Sequence, residues 1–287
     1  MACEDTTASQ GALAINRETF RTRMEKFPWW FIAILIIAVG TAYVIFTQSD
    51  FNQAFQFIKV GLSITIITTL AAYAVAIVLG LLTGLGRIAR NVLAKNVATL
   101  YVEIIRGIPM LVLIFFIAFV GIPAVTNAFN ALGVLFSNAG MTGIGEALSQ
   151  INNKGVPMQF RAIIALAITY GAFSAEIFRA GIQSISKGQM EAARSQGMTY
   201  AQAMRYIILP QAIKNVLPAL GNDFVSMLKD SSLVSVLAVR DITQVAKLYA
   251  GQTFRYPEAY STLAVLYLTM TVILSLGVKM LEKRYQS

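Results

Sequence analysis

Lys187-Gly188-Gln189-Met190-Glu191-Ala192-Ala193-Arg194-Ser195-Gln196-Gly197-Met198-Thr199 leads, through Ala201, Gln202, Ala203 and Met204, into Ile207-Ile208-Leu209-Pro210. Gln189 to Gln196 is rich in helix formers. Gly197 then stops or bends the helix, and Thr199 can cap a second one. Pro210 comes early in the apolar run that follows, where it bends a helix or opens its first turn. The stretch reads as a short helix, a glycine turn and another short helix held between two long apolar runs. Small side chains at Ala192 and Ala193 let a neighbouring backbone approach closely, and Glu191 offers one charged contact, so the first helix suits a groove on a partner. The same residues also suit an amphipathic connector resting on a membrane surface.

The apolar runs on either side are part of a wider pattern. Of 287 residues, 56% are hydrophobic and only 13% are charged, with mean hydropathy +0.65; a soluble domain carries about twice that charged fraction. A helix crosses the hydrocarbon core with about 20 apolar residues. Six segments meet this: Trp29–Phe46, Ile58–Leu85, Thr99–Pro123, Phe160–Gly181, Tyr206–Leu228 and Tyr260–Leu281. A backbone in lipid must satisfy its own hydrogen bonds, so they are predicted to be helices and the protein all-α and polytopic. Val134–Phe136 is apolar but too short to span.

The net charge of +9 is spread between the apolar runs rather than gathered in a patch, which fits membrane orientation and not nucleic acid. Arg87, Arg90 and Lys95 fill one loop; Lys187, Arg194 and Arg205 another; Lys279, Lys283 and Arg284 the tail. The loops between them, Thr47–Phe57 and Ala124–Gln159, hold only Lys154. The positive-inside rule then puts both termini and the second and fourth loops in the cytoplasm. Lys229, Arg240, Lys247 and Arg255 in the fifth loop run against the rule. Arg17, Arg21, Arg23 and Lys26 precede the first run, as for a retained anchor rather than a cleaved signal. Residues 1–27 read as a cytoplasmic arm and 28–47 as an additional first span. With one cysteine, Cys3, and no histidine, an internal disulfide, a histidine-containing zinc site and a histidine triad are all excluded. No Gly-x-x-x-x-Gly-Lys-Ser/Thr phosphate loop occurs, so this chain is not expected to hydrolyse ATP.

Glu191-Ala192-Ala193, Gly197 and Ile207-x-Leu209-Pro210, in this spacing, resemble the signature loop of bacterial ABC importer permeases. Three further segments are similar to the polar amino-acid uptake branch, with its histidine-, glutamine-, glutamate- and arginine-type permeases: Tyr101-Val102-Glu103-Ile104-Ile105-Arg106-Gly107-Ile108-Pro109, Ala175-Glu176-Ile177-Phe178-Arg179-Ala180-Gly181-Ile182 and Leu228-Lys229-Asp230-Ser231-Ser232-Leu233. Ile108 stands where that branch commonly has threonine. The likeness covers residues 58–287 and implies a type I importer core, with a coupling helix in 187–205 that docks on a separate ATPase subunit. Gly188, Glu191, Ala192, Ala193, Gly197, Leu209 and Pro210 would serve that coupling. The implied partners are the ATP-binding subunit, which carries ATP and Mg, a second permease chain, identical or related, and a periplasmic or lipid-anchored binding protein. The implied location is the bacterial plasma (inner) membrane, in contact with lipid, with no cofactor on this chain. A stand-alone secondary transporter or channel is the alternative, since broken helices and buried charges suit it too.

Ionisable groups within spans are costly and mark function by default. Glu103 and Arg106 lie three apart and can neutralise each other, or Arg106 can meet a substrate carboxylate. Gly107 and Pro109 free and kink the backbone beside them. Glu176 and Arg179 repeat the spacing near an inner span end, where Arg179 can snorkel to head groups. Lys229, Asp230 and Ser231, with Asn222, Asp223 and Ser232 nearby, offer both signs of charge and hydroxyls, as a zwitterion requires. A solvated loop end is the other reading of that cluster. The functional reading places Glu103, Arg106, Gly107 and Pro109 beside the substrate pathway, with Ser231 from the polar cluster, and the resemblance favours Lys229 and Asp230 there. Trp29, Trp30, Tyr206 and Tyr260 fit interfacial belts.

Overall fold

The computed structural model describes residues 29–286, so the arm expected over residues 1–27 lies outside the described residues, as do the side chains of Trp29 and Trp30. No strand occurs among the described residues. The chain divides into two units, Met1–Ser49 and Asp50–Ser287. In the first, α1 covers Trp29–Thr47. Its Thr41 and Thr47 hydroxyls donate to the carbonyls of Ile37 and Tyr43, each at 2.8 Å, so the helix satisfies these polar groups itself.

The second unit opens within α2 (Ser49–Ile58), at Asp50, and α2 passes through a tight turn at Lys59–Gly61 into α3 (Leu62–Ile88). Then follow α4 (Val92–Gly107), α5 (Met110–Phe116), a π-helical turn at Ile117–Gly121, α6 (Ile122–Asn138) and α7 (Thr142–Ser149). The central helix is α8 (Met158–Gln183), followed by α9 (Lys187–Ser195), α10 (Tyr200–Ala203), a second π-helical turn at Met204–Ile208 and α11 (Leu209–Asp230). A 3-10 stretch, Ser231–Leu237, leads to α12 (Ile242–Thr253) and α13 (Tyr256–Gln286).

Among the described residues, four helical stretches are long and apolar enough to cross a bilayer: Ser49–Ile88, Met110–Asn138, Met158–Gln183 and Tyr256–Lys283. The apolar part of α1, Ile32–Ile45, is shorter. Two expectations change. The segment Thr99–Pro123 is not one span. Pro109 holds Ile108 in an extended conformation (ψ 135°), so α4 ends and a fresh helix starts at Met110. That helix then runs on to Asn138, through residues expected to be a loop and through the short apolar patch Val134–Phe136. Tyr206–Leu228 is helical, but Lys214, Asn215, Asn222 and Asp223 keep it from qualifying as an apolar span.

The longest packing seam joins α3 to α8. On α3 the buried positions Thr65, Thr69, Ala72, Ala76, Gly80 and Gly84 recur every three or four residues, a stripe of small side chains on one face. Bulky Val78 and Leu82 point away, 57% and 63% exposed. Small residues inward and large ones outward are how helices pack where lipid, not water, covers the outside. A Cβ on Gly80 would lie 2.6 Å from the Ser174 Cβ, so the two backbones approach too closely for anything larger. The core around this seam includes Leu113, Ile114, Leu166, Met227 and Val234.

Arg161 is 4% exposed, and no carboxylate pairs with it among the described residues. Its guanidinium donates to the carbonyls of Ala118 (2.7 Å), Val156 (3.2 Å) and Asn153 (2.5 Å) and to Asn153 Oδ1 (2.7 Å). Ala118 lies in the first π-helical turn, where the ladder is irregular, so Arg161 takes up an acceptor at the irregularity.

Candidate functional site

Two regions hold the sequence-derived candidates. The first is Lys187–Pro210. Ser186 caps α9 by accepting from the Gly188 N–H at 3.3 Å. The helix ends at Gly197 with φ 85°, a left-handed conformation that glycine enters at no steric cost. The Met198 N–H returns to the Ala193 carbonyl at 3.2 Å, closing the turn. Thr199 and Gln202 then bond reciprocally: the Gln202 N–H to Thr199 Oγ1 at 3.2 Å, and the Thr199 N–H to Gln202 Oε1 at 2.8 Å. Pro210 sits in the first turn of α11, directly after the π-helical turn, where the hydrogen-bond ladder is already irregular.

These caps orient α9. Ala193 turns inward, and half-buried Met190 joins an apolar cluster with Ile182, Ile208, Ala212 and Leu209. Gly188, Glu191, Ala192 and Ser195 remain exposed, at the i, i+3, i+4, i+7 spacing of a single helix face. Ala192 and Ala193, paired in the sequence reading, therefore do different things: Ala192 lies on the free face, while Ala193 packs against this chain. The Arg90 guanidinium stacks over the Tyr200 ring at 5.2 Å, so the loop after α3 and the loop after α8 share one end of the molecule.

The second region is the contact of α8 with α11. Tyr170 Oη donates to Asp230 Oδ2 at 2.7 Å, and Ser174 Oγ donates to Asp223 Oδ2 at 2.9 Å. Tyr73 of α3 donates to the Leu220 carbonyl at 2.5 Å and stacks on Phe224 with centroids 4.7 Å apart. Lys229, Asp230 and Ser231 do not form one cluster. Asp230 faces Tyr170, Lys229 is exposed, and buried Ser231 donates to its own helix at the Leu228 carbonyl, 2.7 Å away.

The Glu–Arg repeats also part company. Glu176 and Arg179 pair with each other, so Arg179 is held by an acid rather than reaching for head groups. Glu103 meets Arg87 at 3.6 Å instead of Arg106, and Arg87 continues to Glu176 at 2.5 Å. Arg106 and Gly107 are exposed at the end of α4, and Pro109 starts α5. A cavity of about 840 Å³ opens beside this ionic group, between Glu176 of α8 and Ser184 just past its end on one side and Lys214, Asn215 and Pro218 of α11 on the other.

The family profile described as binding-protein-dependent transport system inner membrane component matches residues 76–287. The chain belongs to this family. It is the membrane-embedded translocation subunit of an ABC importer. A probable glutamine ABC transporter permease of Bacillus subtilis is 42% identical over 77% of this chain and 90% of its own. The glutamine transport system permease of Escherichia coli is 33% identical over 78% and 90%. Among solved structures, an amino acid ABC transporter superposes with TM-score 0.65 at 38% identity, covering 80% of this permease and 94% of the matched chain. A methionine ABC transporter in inward-facing conformations, 18% identical with TM-score 0.60, shares the fold. The permease is thus all-helical with the type I ABC permease fold, and its family implies separate ATP-binding and substrate-binding partners.

Sequence reading missed several residues of this permease that the structure places at the centre. Tyr73, Tyr170 and Ser174 carry no spacing signal, because their partners are on other helices. Arg161 falls inside a predicted span and drew no reading from the sequence; its burial reveals it. Arg87 read as a loop charge, whereas it links Glu103 and Glu176.

Proposed function

We propose that this permease, paired with a second permease chain, lines the path of polar amino acids, and that the free face of α9 couples the path to an ATPase subunit. The observation that carries this is α11. Gln211, Asn215, Asn222 and Lys229 fall on one face of that helix and are exposed, while Ala212, Val216 and Met227 pack inward. At 22 residues, α11 is about 33 Å long, a bilayer's hydrocarbon thickness. A polar stripe of that length is costly against lipid, so it faces water or another protein. One chain does not enclose such a stripe; two chains facing each other do. Counting α11 and α1 with the four apolar stretches gives six crossings, with both termini and α9 on the cytoplasmic side of a bacterial plasma membrane.

Several features support the substrate class and the coupling. The relatives carry glutamine and amino-acid names. Exposed Lys229 puts a positive charge on the polar stripe of α11, available to a substrate carboxylate. The face Gly188, Glu191, Ala192 and Ser195 is small and singly charged, suited to a groove on the ATPase. ATP and its Mg would bind that partner and be hydrolysed there, this chain acting without a catalytic site. Family membership disfavours a stand-alone transporter.

The test is amino-acid uptake and ATP hydrolysis in vesicles holding the permease, its ATPase and its binding protein, with Glu191→Arg and Gly197→Asp as variants. Loss of coupled uptake and of ATPase copurification in both is expected. Uptake that survives both changes and needs no ATP would sink the proposal.

A further inference from the structure

Four basic residues of the fifth loop break the orientation pattern, and the structure accounts for them unequally. Arg255 pairs with Asp50 at 2.8 Å and bonds Gln53 at 3.2 Å. Lys247 donates to Ser235 Oγ at 3.0 Å. Lys229 belongs to the polar stripe of α11. Arg240 is exposed and makes no hydrogen bond or ion pair among the described residues. The acid next to it offers nothing: Asp241 is buried and caps α12, accepting from the N–H groups of Thr243 at 3.2 Å and Gln244 at 2.9 Å.

Arg240 lines a cavity of about 890 Å³ between α2 and α12. Four primary amides share the wall: Asn52, Gln53, Gln56 and Gln252. No carboxylate lines it. The cavity therefore presents one uncompensated guanidinium and several amide donors, a set that complements a carboxylate. In the chain, α9 precedes the start of α11 and Arg240 follows its end, so a 22-residue helix runs between them. If α9 meets the ATPase, this cavity opens on the opposite side of the membrane.

We propose that the cavity is a docking socket for an acidic side chain on the surface of the soluble substrate-binding protein. The family is defined by dependence on such a protein, so a partner must visit the side opposite the ATPase. The inference rests on the importer reading above, which sets the orientation. An exposed charge at the rim of an interface acts mainly through encounter rate and salt dependence.

The experiment titrates substrate-loaded binding protein against ATP hydrolysis by the complete transporter in vesicles, comparing wild type with Arg240→Glu and Arg240→Lys. Arg240→Glu is expected to raise the half-maximal binding-protein concentration about tenfold with basal hydrolysis unchanged. Arg240→Lys is expected to fall in between, and added salt to weaken the wild type more than Arg240→Glu. Normal stimulation with the same half-maximal concentration in both variants overturns the socket alone. A fall in basal hydrolysis seen only in vesicles containing anionic phospholipid assigns the cavity to a lipid head group, and also overturns it. A wild type that no binding protein stimulates overturns the importer reading, and the socket with it.

Discussion

In Lys187–Pro210 the bonds that shape the chain reach only a few residues: Ser186 to Gly188, Met198 to Ala193, Thr199 to Gln202. Between α8 and α11 they reach across the fold, Tyr170 to Asp230 over 60 residues and Ser174 to Asp223 over 49. The first region is a locally capped device held on an apolar cluster. The second exists only once the helices have packed, so its polar groups report the state of the whole bundle. A subunit that must sense an ATPase at one place and open a path at another needs both kinds.

The largest effects should separate the two regions. Asp230→Ala removes the acceptor of Tyr170 in the bundle and is expected to lower uptake at least about tenfold, the scale of losing one charge-assisted contact. Its ATPase should still copurify. Glu191→Arg should lower uptake comparably but lose the ATPase. Copurification assays beside uptake decide this; if Asp230→Ala also loses the ATPase, the regions are not independent.

That contrast also explains what the sequence made legible. Caps, the left-handed Gly197 and Pro210 at a helix start are written in consecutive residues, so α9 and α10 could be read directly. The apolar runs gave α3, α8 and α13 for the same reason. Hydropathy saw apolar residues on both sides of Pro109 and joined what the backbone divides. It also extended no helix through Ala124–Asn138, where Thr126, Asn127 and Asn130 dilute the pattern. The Tyr170–Asp230 pairing was out of reach, because nothing in either segment specifies the other.

The scaffold beneath both regions should respond next. Arg161→Met leaves the Ala118, Val156 and Asn153 acceptors without their donor in a buried site, at an expected cost of about 3 kcal/mol. Thermal unfolding of the purified complex in detergent measures it, and uptake and copurification should decline together. An unshifted transition would show that the guanidinium does not hold the π-helical turn.

Gly80→Val tests the α3–α8 seam at a smaller scale. Its side chain would meet Ser174 Cβ at 2.6 Å and the Ala175 nitrogen at 3.1 Å. Overpacking of this kind costs about 1–3 kcal/mol. Because Ser174 also bonds Asp223, uptake should fall more than ATPase copurification. Equal losses would mean that the seam supports the fold without reaching the α8–α11 contact.

The smallest effect belongs to the local device. Thr199→Ala removes the hydroxyl that accepts from the Gln202 N–H at 3.2 Å, and with it half of the reciprocal cap over a helix only four residues long. A lost cap of this type costs about 1 kcal/mol. The apolar cluster beneath, with Ile182, Ile208 and Ala212, is untouched, so global unfolding should not move measurably. The loss should show instead as local opening: about fivefold faster amide hydrogen exchange over residues 200–203, with Thr199→Ser restoring the wild-type rate. Unchanged exchange in Thr199→Ala would mean that packing on the apolar cluster, rather than capping, holds this segment in place. The segment would then depend on long-range contacts just as the α8–α11 contact does, and the distinction between the two regions would fail at its most local point.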